Sequence, residues 1–193
     1  MIKKDIAKKQ KRRRPLEKVV VLPPAVKAEI SPVEIKISGP KGVASRKLGT
    51  KKIVVRLDGG KILLAPKVRK SRSEKALINS LVAHINNLVA GVQNEFVYRM
   101  KICASHFPMA VKLKGDLFEV NNFIGEKTPR VLKVVKDVDV KVEGDFVVVK
   151  SCDRELAGNF ASRIEKLTKR PSFDRRVFMD GIYLVEKCGE KLK

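Results

Sequence analysis

The stretch from Gly91 to Pro108, GVQNEFVYRMKICASHFP, decides how this chain is read, because a similar run of elements lies on either side of it. Before it come strand-like segments and a capped amphipathic helix. After it come strand-like segments and another capped helix, with apolar residues at nearly the same steps. The stretch is therefore the seam of a tandem duplication. Its apolar and aromatic residues, Phe96, Val97, Tyr98, Met100 and Ile102, read as the end of the first unit running directly into the first strand of the second. Ser105 to Pro108 mark where that strand begins.

Towards the N-terminus, Leu77, Leu81, Ile85 and Leu88 line one helical face, with Ile78, Val82 and Val89 beside them. Ser71 and Glu74 have the spacing of a capping box, and Gly91 is expected to end the helix. Further back, Ile53 to Leu57, the turn Asp58-Gly59-Gly60 and Ile62 to Leu64 read as a hairpin. Val33, Ile35 and Ile37 alternate at period two, as on a strand with one buried face. The turn Gly39-Pro40-Lys41-Gly42 follows. A GxxG also clamps nucleic-acid backbones in KH domains, but there it joins two helices. Here a strand precedes it and no helical pattern follows, which favours a hairpin turn.

Towards the C-terminus the same steps recur. Ile35 to Gly39 resembles Val111 to Gly115, and Val55 to Gly59 resembles Val140 to Gly144. Val147 to Val149 answers Ile62 to Leu64. Asp153 is placed to cap a second helix, whose stripe Leu156, Phe160, Ile164 and Leu167 repeats the intervals of the first, and Pro171 prevents its continuation. Short turns rather than helical crossovers join the strands. The predicted class is α+β: two tandem copies of a small antiparallel sheet packed against one helix. The expected division is a basic tail at 1–14, a first repeat at 15–92 and a second at 93–193.

The formal charge is +22, from 43 Lys plus Arg against 21 Asp plus Glu. So large an excess implies a polyanionic partner. It is graded along the chain: 8 basic residues against 1 acidic in residues 1–14, 15 against 5 in 15–92, and 20 against 15 in 93–193. No window holds the roughly 18 consecutive apolar residues of a membrane span, and the first residues lack a signal-peptide pattern. The expected setting is soluble and intracellular. Cys103, Cys152 and Cys188 lack a CxxC pair, which suits reduced thiols, and only Cys103 with His106 lie close enough to suggest metal ligands or a nucleophile pair. No orienting group or oxyanion loop accompanies that pair. His84 sits at the rim of the first apolar stripe, and the acidic residues fall in turns and at helix starts. The sequence has no Walker loop, GxGxxG, HExxH or GxSxG, so neither an enzyme, a cofactor nor a small-molecule substrate is expected.

The cations cluster instead. Arg12, Arg13 and Arg14 close the tail, Lys127, Arg130 and Lys133 follow the second unit's first hairpin, and Lys169, Arg170, Arg175 and Arg176 lie between its helix and closing strand. Loop cations can follow a folded phosphate backbone, whereas a helix face does not enter the narrow major groove of A-form RNA. Aromatic residues make up 5% of the chain and no RNP-type motif occurs, so shape and phosphate recognition is expected over base stacking.

Several short motifs occur together and in order: Gly91-Val92 with Phe96, Tyr98, Arg99 and Met100; Ser105-His106-Phe107-Pro108; Phe123-Ile124-Gly125-Glu126-Lys127; Asp174-Arg175-Arg176; and Asp180-Gly181-Ile182-Tyr183 with Glu186-Lys187. Their combination resembles the large-subunit ribosomal protein number six family, in the eukaryotic form numbered nine. The resemblance runs from about residue 33 to 189. It implies two copies of a small α+β domain that bind large-subunit rRNA, the second near the sarcin-ricin loop and stalk base, with neighbouring ribosomal proteins there. It also implies RNA contacts at Gly125 to Arg130, Lys169 and Arg170, and Asp174 to Tyr183. The implied location is the cytosolic large ribosomal subunit, with assembly in the nucleus or nucleolus. Residues 1–14 extend beyond the family pattern, and Lys67 to Lys70 stand where related eukaryotic proteins carry Trp. A free-standing RNA-binding regulator or chaperone, and an enzyme using Cys103 and His106, are the competing readings.

Overall fold

The computed structural model describes residues 16–48, 52–67, 71–174 and 176–192. They form two compact units, divided between Val89 and Ala90. The basic tail, Arg12, Arg13 and Arg14 with it, lies outside the described residues, as does Arg175.

In the first unit, strands β1 (Lys18–Val21), β2 (Lys27–Ile30), β3 (Glu34–Gly39), β4 (Gly42–Lys47), β5 (Ile53–Asp58) and β6 (Lys61–Pro66) precede helix α1 (Arg72–Gln93), whose last residues, from Ala90 on, belong to the second unit. They make two antiparallel sheets, ordered β1-β6-β5 and β2-β3-β4. On β3 the period-two pattern has its expected result, since Ile35 and Ile37 are buried while Lys36 is exposed, but Val33 departs from it, lying before the strand and 66% exposed. Gly39 pairs with Gly42 across Pro40-Lys41, so the GxxG is a hairpin turn. At the start of α1, the Ser71 N–H donates to Glu74 Oε2 at 2.8 Å and the Glu74 N–H to Ser71 Oγ at 3.3 Å, a reciprocal capping box.

In the second unit, β7 (Phe96–Cys103), β8 (Ala110–Lys114), β9 (Leu117–Asn121), β10 (Arg130–Lys133), β11 (Asp139–Glu143) and β12 (Phe146–Ser151) precede α2 (Arg154–Leu167), and β13 (Gly181–Lys187) and β14 (Glu190–Lys191) close the chain. The sheets are ordered β10-β9-β8 and β11-β12-β7-β13-β14. Asp153 caps α2 by accepting the Glu155 N–H at 2.8 Å. The helix buries Ala157, Phe160, Ala161 and Ile164 against Tyr98, Met100, Phe118, Phe123, Val147, Val149 and Ile182. Each large apolar side chain so buried contributes about 1.5–3 kcal/mol relative to exposure. Tyr98 donates from its hydroxyl to the Arg154 carbonyl at 3.3 Å. Burial, and then the Cys188 thiol, push its phenol up to about 12.

Both units therefore run as a lead strand, a three-stranded meander, a hairpin and a helix, and the lead strand pairs with the hairpin's second strand: β1 with β6, and β7 with β12. This order corrects three expectations. The match of Ile35–Gly39 to Val111–Gly115 sets the centre of one meander against the edge of the other, whereas topology makes β9 the counterpart of β3. Phe96 to Ile102 do not end the first unit; β7 is the middle strand of the second unit's larger sheet, and both its neighbours, β12 and β13, come later in the chain. Gly91 does not end α1, which continues to Gln93. A Cβ on Gly91 would run into the carbonyl oxygen of Cys152 and come within 2.8 Å of the Phe96 ring. The glycine marks a close approach of backbones rather than a helix stop.

Candidate nucleic-acid interface

Two loops of the second unit meet beside the C-terminal end of α2. The first, residues 122–130, begins with Asn122 and Ile124 at φ 56° and 49°, followed by Gly125 at 76°. A left-handed conformation is uncommon for a β-branched residue and costs about 1–3 kcal/mol, so the surroundings must hold it. They do so at several points. Asn122 Nδ2 donates to the Pro108 carbonyl at 3.0 Å. Phe123 is buried beneath the Arg130 guanidinium, which lies 4.3 Å from the ring centroid. Arg130 also grips Glu126 with two hydrogen bonds of 2.7 and 2.6 Å and donates to the Leu167 carbonyl at 2.5 Å, tying the loop to the last turn of α2. The hydrogen bonds from Arg130 hold the Glu126 carboxyl below its ordinary range, outweighing partial burial, with the charges of Arg130 and Arg170 adding to the effect.

The second loop, residues 168–180, leaves α2 at Thr168 and returns at β13. Thr168 Oγ1 accepts the Ile182 N–H at 3.0 Å, which pins the base of the loop. Beside that pin lies Asp180, 7% exposed. Its Oδ1 accepts the backbone N–H groups of Ser105 and His106 at 2.6 and 3.0 Å, and its Oδ2 pairs with His106 Nδ1 at 2.6 Å. Burial alone pushes this carboxyl up, but the hydrogen bonds from His106 and Ser105 outweigh it and leave the group below the ordinary aspartate range. Within the loop, His106 stacks on Phe178, Phe178 meets Phe173 edge-on, and Arg170 lies 3.9 Å over Phe173.

Ile124 joins Lys169, Arg170, Phe173, Phe178 and Tyr183 around one cleft of about 20 Å³, which is room for a water and not for a substrate. Among the expected contact residues, the fold thus gathers Lys169, Arg170 and Tyr183. Lys127 is exposed on the adjoining loop, Lys133 is exposed on β10, and Arg176 is exposed beyond Phe173. Among the described residues, none of Lys127, Lys133, Lys169 and Arg176 forms an ion pair with a carboxylate. Arg130 differs, since its guanidinium is already engaged on three sides.

The sequence pattern assigned no role to Thr168 or Phe173, set Phe178 and Asp180 only within the expected RNA-contact segment Asp174 to Tyr183, and paired His106 with Cys103 rather than Asp180. The histidine is bound to a residue 74 positions away, which no local spacing reports. Among the described residues Cys103, Cys152 and Cys188 form no disulfide, and no cluster of three metal-ligating side chains occurs. A larger concavity of about 570 Å³ lies on Phe96, Val97, Arg99, Val148, Lys150 and Glu186. Arg99 there faces Glu186 at 3.8 Å, so cation and carboxylate are mixed and the surface is not a phosphate site. No described helix is long and apolar enough to cross a membrane.

The family model described as Ribosomal protein L6 matches residues 107–181, which hold both loops and Asp180 but not its partners Ser105 and His106. A large ribosomal subunit protein uL6 from Ignicoccus hospitalis is 44% identical over 170 residues, covering 86% of this chain and 91% of the relative. Proteins of the same name from Methanothrix thermoacetophila and Nanoarchaeum equitans are 39% and 42% identical, covering 86% and 90% of this chain and 94% of each relative.

Proposed function

Because the chain belongs to the ribosomal protein L6 family, we propose that it is a structural protein of the large ribosomal subunit that binds rRNA through the two converging loops of its second unit. The family is structural rather than enzymatic. The observation that carries the binding role is the locked pair of loops, which presents Lys127, Lys169, Arg170 and Arg176 outward while Arg130 and Asp180 fix the backbone behind them. Lys and Arg at fixed positions neutralise phosphates without reading bases, and preorganised cations lose less freedom on binding than mobile ones. Lys133 and Tyr183 extend the same surface. Arg175, Arg12, Arg13 and Arg14 belong to the proposed contact set by charge, and lie outside the described residues.

The second unit is proposed to sit near the sarcin-ricin loop and the base of the lateral stalk, beside other ribosomal proteins, in the cytosolic large subunit. The relatives are archaeal proteins, and they lend no support to a nuclear stage of assembly. The tandem repeats are proposed to follow the sequence boundaries, 15–92 and 93–193, with 1–14 as a basic arm.

If about six to ten phosphates are neutralised, affinity for transcribed large-subunit rRNA falls by roughly three to five decades between about 50 and 200 mM salt. A flat salt dependence overturns the mechanism. In cells, Lys169→Glu combined with Arg176→Glu is expected to leave the full chain folded but outside the large subunit, as read by sedimentation. Normal incorporation removes the closing loop from the interface.

A further inference from the structure

The carboxylate of Asp180 is shielded from solvent beneath the most cationic loop of the second unit, and burying an ionised group is costly unless it is fully paired. Here it is paired. Both oxygens are occupied by Ser105 and His106, at 2.6 and 3.0 Å from backbone N–H groups and 2.6 Å from the imidazole. Only 4% of the Asp180 side chain reaches solvent, so it neither meets RNA nor offers phosphates a repelling charge at the surface. The imidazole that it holds is the first member of a continuous stack. His106 lies 4.8 Å from Phe178 at 26°, Phe178 lies 4.8 Å from Phe173 at 84°, and Phe173 lies 3.9 Å under the Arg170 guanidinium. The chain of contacts runs from a buried carboxylate to a surface cation.

We infer that the His106–Asp180 pair is a positioning clamp for RNA recognition, setting the orientation of Arg170 through Phe178 and Phe173 so that its guanidinium meets a phosphate. This rests on the RNA-binding reading above. His106 acts through the rings and not by contact with RNA. Without the clamp the loop keeps its charge but loses the register of that charge, so net electrostatic attraction survives while one fixed phosphate contact does not.

The test uses the full chain, transcribed large-subunit rRNA and a series of salt concentrations. Arg170→Ala should lower the salt slope by about one, as expected for one lost phosphate contact. His106→Ala should lower it by about the same amount although it removes neither a lysine nor an arginine. The double variant should match either single variant, because the two residues act on one contact and their effects cannot add. His106→Asn supplies a second arm. Its Nδ2 keeps a donor to Asp180 while removing the ring, so it should fold and still show the loss and the non-additivity. A wild-type slope in both His106 variants, or full additivity with Arg170→Ala, overturns the clamp and leaves RNA binding standing. A wild-type chain with no salt dependence overturns both.

Discussion

At the scale of single residues, Gly91 and Arg130 show how far local pattern goes. Gly91 falls where a helix stop is expected, yet α1 continues past it and the missing Cβ makes room for the Cys152 carbonyl and the Phe96 ring. The two readings predict opposite signs. In a helix interior, Gly→Ala ordinarily gains up to about 1 kcal/mol from propensity. Here the added carbon meets a backbone carbonyl that cannot rotate away, and overpacking costs about 1–3 kcal/mol. Gly91→Ala is therefore expected to lower Tm, by roughly 2–4 °C for each kcal/mol lost. A raised Tm would contradict the close approach. Arg130 was legible as a cation in a loop, but its fork is filled by Glu126 and the Leu167 carbonyl. No spacing rule links Arg130 to the end of a helix 37 residues on.

At the scale of elements, the helix N-caps were read correctly because they are set within a few residues. The Ser71–Glu74 box forms as its spacing requires, and α2 starts at an Asp153 cap. Ser71→Ala removes one side of the box and is expected to cost about 0.5–2 kcal/mol in urea unfolding, whereas Ser71→Asp should retain most of the stability. Equal losses in the two variants would argue against the cap. The apolar stripes were placed to within one step. On α1 the buried line runs through Ile78, Ile85, Leu88 and Val92, with Leu77 and Leu81 at its margin. Strand order was less legible. Alternation reveals that β7 is a strand with one buried face, but strands before and after it compete for its edges, and sequence spacing does not choose between them.

At the scale of the whole molecule, net charge by halves misleads because carboxylates differ in what they do. In the second unit Glu126, Asp180, Glu119 and Glu186 pair with Arg130, His106, Lys114 and Arg99, so part of its acidity supports structure while Lys127, Lys133, Lys169 and Arg176 stay exposed. Two of these carboxylates, Asp180 and Glu126, have folded pKa values below their ordinary ones. Depressed carboxyl groups stabilise the fold above the unfolded values of about 3.9 and 4.3, and that contribution disappears as pH falls through the folded values. The wild-type Tm is thus expected to drop below about pH 4, and the gap between wild type and Asp180→Asn, present at neutral pH, should close across the same window. A gap that stays constant down to about pH 2 would show that the carboxylate charge contributes nothing.

The sequence by itself determined the α+β class, the repeat, the two capped helices, the excess of basic charge and the family resemblance. Each of these is written in composition, or in periods and caps that span a few residues. Only the tertiary structure decided that β7 lies at the centre of its sheet, that Gly91 admits a carbonyl, that Arg130 is an internal tie and that His106 is held by Asp180. Those features depend on groups 37 to 75 positions apart, brought together by strand order and helix packing. The free energy of such contacts appears only once the sheet has closed, so no local pattern carries it.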